Sequence, residues 1–289
     1  MKPAFHPQMF KYSYPYGQDF PFVEIETSQC SARLSLYGAQ LLDWTPKGQF
    51  PVLWMSPNAE FVAGKAIRGG VPLCWPWFGK DPTDGGRPSH GVARVSLWSL
   101  VSSEVLADGT AVLELALPAS RPEDPSSRLR LELGQSLEMR LVTENGTMPL
   151  PFSAAFHSYF SVSNYARTVV TGLKDCPFTE FAADAVPHRE SPLHPAGHID
   201  RIYYPTKTVV HVADLEWQRV LCLTRSGSNS LVVWNPGAEL AAGMADVGAG
   251  FESGFLCVET VTAPQEEVVL APGAVHTMIC RVAVSGIGC

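Results

Sequence analysis

The chain has no long hydrophobic run. The segment Met1 to Phe10 contains no apolar stretch of leader-peptide length, and no later segment reaches the roughly 18 to 20 apolar residues that a membrane helix needs. The expectation is a soluble cytoplasmic protein with no membrane partner. Basic residues are in the minority: 21 Lys and Arg against 28 Asp and Glu in 289 residues, a net charge of −7. That argues against a general nucleic-acid surface but leaves room for a local cationic pocket that takes one anion. The seven cysteines, Cys30, Cys74, Cys176, Cys222, Cys257, Cys280 and Cys289, include no C-x-x-C pair. Neither a disulfide framework nor a zinc knuckle is indicated, and reduced, partly buried thiols are expected. Charge is scarce at 17% against 46% hydrophobic residues, which excludes extended disorder. Helical periodicity is missing too, beyond a short segment such as Pro236 to Ala245, while 24 Gly and 24 Pro break the chain at short intervals.

The period that is present is two. In Arg128-Leu129-Arg130-Leu131-Glu132-Leu133, and again in Leu137-Glu138-Met139-Arg140-Leu141, apolar residues take the odd positions and charges the even ones. Ala32 to Leu36 and Leu113 to Leu117 alternate likewise. Thr208 to Val212, Ser230 to Trp234 and Glu267 to Leu270 are β-branched or apolar runs bounded by turn residues. These segments predict an all-β chain of large antiparallel sheets with few, short helices. Pro118 to Ser127 reads as a loop, but strand patterning resumes directly after it, so a single domain over residues 1–289 is expected.

Several segments carry chemistry. Ala66-Ile67-Arg68-Gly69-Gly70-Val71-Pro72-Leu73-Cys74-Trp75-Pro76-Trp77-Phe78-Gly79 sets an arginine before a tight Gly-Gly turn and an aromatic block. Trp75, Trp77 and Phe78 fit a core better than a sugar-stacking wall; Arg68 is equally well a surface residue or a fork aimed at an anion. In Ser89-His90-Gly91-Val92-Ala93-Arg94, a bent strand entry would aim His90 and Arg94 at one pocket, although each singly is more often structural. His157, in Phe152-Ser153-Ala154-Ala155-Phe156-His157-Ser158-Tyr159-Phe160, is either a hydrogen-bonded core histidine or an acid/base group. Asp200 reads as half of a local surface pair or as an acceptor for sugar hydroxyls. Glu259 interrupts the apolar Phe255-Leu256-Cys257-Val258-Glu259-Thr260; it faces outward, or it is buried for a function. A histidine and a glutamate on opposite sides of one pocket are the minimal equipment of an acid/base isomerase.

The ordered set Ile67-Arg68-Gly69-Gly70-Val71-Pro72, Ser89-His90-Gly91-Val92-Ala93-Arg94, His157-Ser158-Tyr159-Phe160, Asp200-Arg201-Ile202-Tyr203, Val233-Trp234-Asn235-Pro236 and Cys257-Val258-Glu259 resembles the glucose-6-phosphate 1-epimerases (hexose-6-phosphate mutarotases). These are a branch of the aldose 1-epimerase, galactose mutarotase-like, superfamily, and the resemblance runs roughly from Ala32 to Arg281. It implies a β-supersandwich with the site on the concave face of one long sheet and neither metal nor organic cofactor; a monomer is expected. It further implies His157 as general acid, Glu259 as general base, Arg68 and Arg94 as sugar-phosphate ligands, Asp200 as the carboxylate that orients ring hydroxyls, and His90 and Ser89 beside the sugar. Two arginines favour a 6-phosphate over an uncharged sugar. An aldose 1-epimerase acting on unphosphorylated sugars, and a noncatalytic sugar-binding protein on the same fold, remain the alternatives.

Overall fold

The computed structural model describes residues 9–83, 85–180, 192–204, 209–266 and 268–288. The expectations for the first eight residues and for Thr208, Glu267 and Cys289 lie outside these. Among the described residues the dominant elements are two large antiparallel sheets. One has eight strands in the order Thr168–Thr171, Val209–Asp214, Arg219–Ser226, Val275–Gly286, Ser136–Glu144, Ser126–Leu133, Ala111–Leu117, Ser99–Val105. The other has seven. Phe178–Glu180, Ile199–Tyr203, Ser230–Asn235, Phe255–Thr262, Ala154–Phe156 and Leu73–Cys74 follow one another, and Tyr159–Ser161 also pairs with Phe255–Thr262. A four-stranded sheet, Phe10–Ser13 through Gln40–Pro46, completes the architecture with a two-stranded ribbon. The α-helix Gly237–Gly243 is seven residues long and falls inside the one segment whose periodicity was helical. No helix among the described residues is long and apolar enough to cross a membrane.

Alternation explains how the large sheets meet. Leu129, Leu131, Leu133, Leu137, Met139 and Leu141 are all buried in the main core, whereas the charges between them point outward. There they pair along and across strands: Arg130 donates to Glu132 of its own strand and to Glu114 of the next, and Glu138 accepts from Arg140 of its own strand and from Arg281 of the neighbouring one. The seven-stranded sheet supplies the opposite wall through Phe156, Leu231, Val233, Leu256 and Val258.

The other face of that sheet decides where chemistry can occur. Every residue of Phe255–Thr262 is buried, so no polar alternation marks the strand in the sequence. Leu256 and Val258 enter the main core, while Cys257, Glu259 and Val261 project from the opposite face. Neighbouring strands add to that face Ala155, Ile202, Val232 and Trp234. Six described cysteines are free thiols and five of them are buried, as expected from their spacing. Trp75 and Trp77 are buried, in line with the expectation for the aromatic block; Phe78 is buried too but also lines the candidate site.

Candidate active site

The site grows from a break in one strand. Ala154–Phe156 and Tyr159–Ser161 both pair with Phe255–Thr262, Phe156 opposite Thr260 and Tyr159 opposite Cys257. Between them His157 and Ser158 leave the ladder. The common register sets His157 directly across from Glu259, and its Nε2 lies 3.4 Å from Glu259 Oε1. The freed backbone is caught elsewhere: His157 N–H donates to Pro72 O at 3.1 Å and Tyr159 N–H to Gly70 O at 2.9 Å. This anchors the break to the Arg68-Gly69-Gly70 turn. Gly70 has φ +59°, and a Cβ there would stand 2.3 Å from Leu41 O, so a glycine is required for the turn to pass so close.

A second turn brings His90. His90 and Gly91 both have left-handed backbone, φ +63° and +79°, and a Cβ on Gly91 would lie 2.0 Å from Trp75 O. The Gly79 N–H donates to His90 Nδ1 at 3.3 Å, leaving Nε2 to carry the ring proton in the neutral imidazole. His90 sits edge-on to Phe78 and to His157, with ring centroids 4.9 and 6.2 Å apart. Asp200 comes from Ile199–Tyr203, whose pairing with Ser230–Asn235 sets Asp200 beside Trp234 and Ile202 beside Val232.

The result is a cavity of about 300 Å³ lined by Arg68, Phe78, His90, Arg94, His157, Asp200, Val232, Trp234, Met244 and Glu259. Six of the seven residues proposed from sequence therefore meet in one pocket. Ser89 does not. Its hydroxyl donates to Gly79 O at 3.1 Å, and it serves instead through its backbone carbonyl, which accepts from Arg94 Nη2 at 2.8 Å.

Arg68 is more committed than its sequence context indicates. Its Nε and Nη2 both lie 2.9 Å from Asp246 Oδ2, and its Nη1 donates to the Tyr159 hydroxyl at 2.7 Å. Tyr159 in turn stacks on the His157 ring, 4.9 Å away and 15° from parallel. Sequence reasoning missed Asp246, Tyr159 and Trp234 as site residues. Trp234 was within reach, because period two puts it on the same face as Val232. Asp246 is 178 residues from Arg68, and no local pattern announces such a partner.

Electrostatics in the pocket favour neutral forms. Burial pushes the Glu259 carboxyl well above the usual carboxylate range, and Asp200 adds to this against the opposing pull of Arg94. Burial, then His90, Arg94 and Arg68, hold His157 well below an ordinary histidine. Burial likewise takes His90 down to about 4, with Arg94 and Arg68 assisting. Asp200 is raised to about 6, chiefly by burial. The pair Glu259–COOH with neutral His157 carries the same number of protons as carboxylate with imidazolium. One proton moved between them therefore generates an acid and a base together, with no exchange with solvent.

The fold and the sequence agree with those of known proteins. A family model described as aldose 1-epimerase matches residues 21–283. Proteins from Salmonella typhimurium and Escherichia coli that carry the provisional name glucose-6-phosphate 1-epimerase are 33% and 32% identical to this chain. The alignments cover 91% and 89% of it, and 90% and 88% of them. The crystal structure of a provisionally assigned mutarotase from Salmonella typhimurium superposes with a TM-score of 0.89 at 29% identity, covering 98% of this chain and 95% of that one. A galactose mutarotase-like protein from Clostridium acetobutylicum shares the fold at a TM-score of 0.73 and 14% identity, over 96% and 98% of the two chains. On these matches the chain belongs to the aldose 1-epimerase family and is a sugar-converting isomerase.

Proposed function

We propose that this protein is a glucose-6-phosphate 1-epimerase that interconverts the α and β anomers of hexose 6-phosphates, with Glu259 as general base and His157 as general acid. The observation that carries the reading is the pairing of His157 and Glu259, 3.4 Å apart, in a pocket that also holds Arg94 and Arg68. The anomeric hydroxyl and the ring oxygen are both bonded to C1, so groups this close can serve the two oxygens at once. Glu259 takes the hydroxyl proton while His157 protonates the ring oxygen. The C1–O5 bond breaks, the aldehyde rotates about C1–C2, and the reverse transfers close the ring on the other face. Each positioned group contributes roughly 10²- to 10⁴-fold. Asp200 accepts from ring hydroxyls, and His90 offers its Nε2–H to a sugar oxygen.

The names of the relatives support a phosphorylated substrate, as do the two arginines. Arg94 spends one N–H on Ser89 O and keeps the rest of its fork for an anion. A phosphate dianion near the pocket also stabilises the imidazolium form of His157. The second reading, an aldose 1-epimerase of free sugars, draws on one observation: Arg68 already has Asp246 and Tyr159 as partners. Saturation-transfer NMR of anomer exchange separates the two, using glucose 6-phosphate, glucose and galactose. Acceleration confined to the phosphorylated sugar, and lost in Glu259→Gln, is the expected result. Acceleration of free sugars alone transfers the assignment to the second reading, and no acceleration of any sugar ends both.

A further inference from the structure

We propose that His157, Cys257 and Glu259, the first and last of which line the pocket, form a binding site for a borderline-soft divalent cation of the zinc class, and that an ion bound there stops turnover. One ligand atom from each residue is available, and the three lie within 4.8 Å of one another. Two ligands at about 2.0 to 2.1 Å from a tetrahedral zinc stand about 3.4 Å apart. His157 Nε2 and Glu259 Oε1 already have that separation. A thiolate at about 2.3 Å from the same ion stands about 3.5 Å from its oxygen and nitrogen co-ligands. Closing the remaining gap takes an adjustment of about 1.3 Å at most, within reach of side-chain rotation.

Two further observations point to a ligand. Glu259 Oε2 and His157 Nδ1 are buried with no hydrogen-bond partner among the described residues, and Glu259 is only 1% exposed. Glu259 Oε2 gains a partner when the carboxylate binds the ion through both oxygens, which offsets its desolvation cost, while His157 Nδ1 keeps the ring proton when Nε2 binds the ion. Cys257 has a cause for being in reach: it precedes Glu259 by two on one strand, so the pleat puts both side chains on the same face. Mixed nitrogen, oxygen and sulfur donors suit zinc and exclude magnesium or calcium. On binding, the Cys257 thiol and the Glu259 carboxyl each release a proton to solvent and form the metal–sulfur and metal–oxygen bonds, while neutral His157 binds through its Nε2 lone pair, with no change of oxidation state. The fourth coordination position opens on the pocket.

The surrounding charge sets the strength. Arg94 opposes a cation, Arg68 is offset by Asp246, and Asp200 on the pocket wall attracts. A dissociation constant on the order of micromolar is therefore expected, weaker than closed four-ligand sites. Such an ion blocks catalysis because it occupies the lone pairs with which His157 and Glu259 handle protons. Only this consequence rests on the acid/base reading above; the binding itself does not.

The test uses chelator-stripped wild-type protein titrated with cobalt chloride in the absence of sugar. The expected result is one equivalent of a thiolate-to-cobalt charge-transfer band, displaced by zinc chloride. Zinc at ten times its measured dissociation constant should slow anomer exchange about tenfold, following 1 + [L]/Kd. Cys257→Ser and Cys257→Ala, each compared with its own rate in chelator, should lose the band and escape most of the inhibition. No band in wild type, or band and inhibition that persist in both variants, overturns the proposal. X-ray absorption of the zinc-loaded wild type is independent of variant folding: one sulfur scatterer supports the site, and a shell of only nitrogen and oxygen overturns it. Because the band is read without sugar, failure of the phosphate assignment leaves it untouched.

Discussion

Replacing Glu259 with glutamine should slow the enzyme and stabilise the fold at the same time. Glutamine has nearly the shape of the carboxylate, and Glu259 is closed in by its strand neighbours, so packing is retained. What disappears is proton transfer, worth roughly 10²- to 10⁴-fold in rate or about 3 to 5 kcal/mol. The stability effect follows from the raised carboxyl. A group whose folded pKa lies above its unfolded value contributes stability below the unfolded value, and that contribution is lost as pH rises. Wild type should therefore weaken between about pH 4 and neutrality, whereas the glutamine variant should not. Holding a carboxyl of ordinary pKa about 4.3 protonated at pH 7 costs at most about 4 kcal/mol. Contacts with His157 and Arg94 return part of this, so a gain of about 1 to 3 kcal/mol is expected, or about 2 to 5 °C in Tm for a chain this long. Calorimetry at pH 5 and pH 7.5, paired with NMR anomer exchange, measures both effects. A variant that retains a tenth or more of the activity refutes the catalytic role. A variant less stable at both pH values refutes the argument that the buried carboxylate is a liability kept for function.

Arg94→Ala should raise KM for glucose 6-phosphate by roughly 10- to 100-fold with little effect on any free-sugar turnover, since a charge-assisted bond is worth about 1.5 to 3 kcal/mol; steady-state kinetics on both sugars check this. Gly91→Ala should cost about 3 kcal/mol or more and depress activity with it. The added Cβ meets Trp75 O at 2.0 Å, in a left-handed backbone that also carries His90, and urea denaturation with an activity assay reads both effects. Asp200 titrates at about 6, so its carboxylate becomes available to sugar hydroxyls only as pH rises through that value. KM should accordingly fall from pH 5 to pH 7 in wild type, and Asp200→Asn should give a flat profile over the same range.

How much of this was legible in the chain differs by element. Ser126–Leu133 and Ser136–Glu144 were readable residue by residue, because a sheet with one wet face writes its orientation into every second position. Phe255–Thr262 was not readable in that way, since both faces are buried and Glu259 was its only charged residue. Gly91 could be seen as a turn residue, but the contact with Trp75 that makes it obligatory could not.

By itself the sequence determined the all-β class and the scarcity of helical structure, because side-chain alternation and turn residues are local properties, while the six residues that line the pocket were singled out by the resemblance of ordered segments to a known family. The tertiary structure alone decided that His157 stands opposite Glu259, that Arg68 is held by Asp246 and Tyr159, that Ser89 turns its hydroxyl away, and that Cys257 comes within reach of both His157 and Glu259. Each of these follows from strand register and from close approach between segments distant in the chain. Such contacts are set by the packing of whole sheets, and no window of neighbouring residues encodes them.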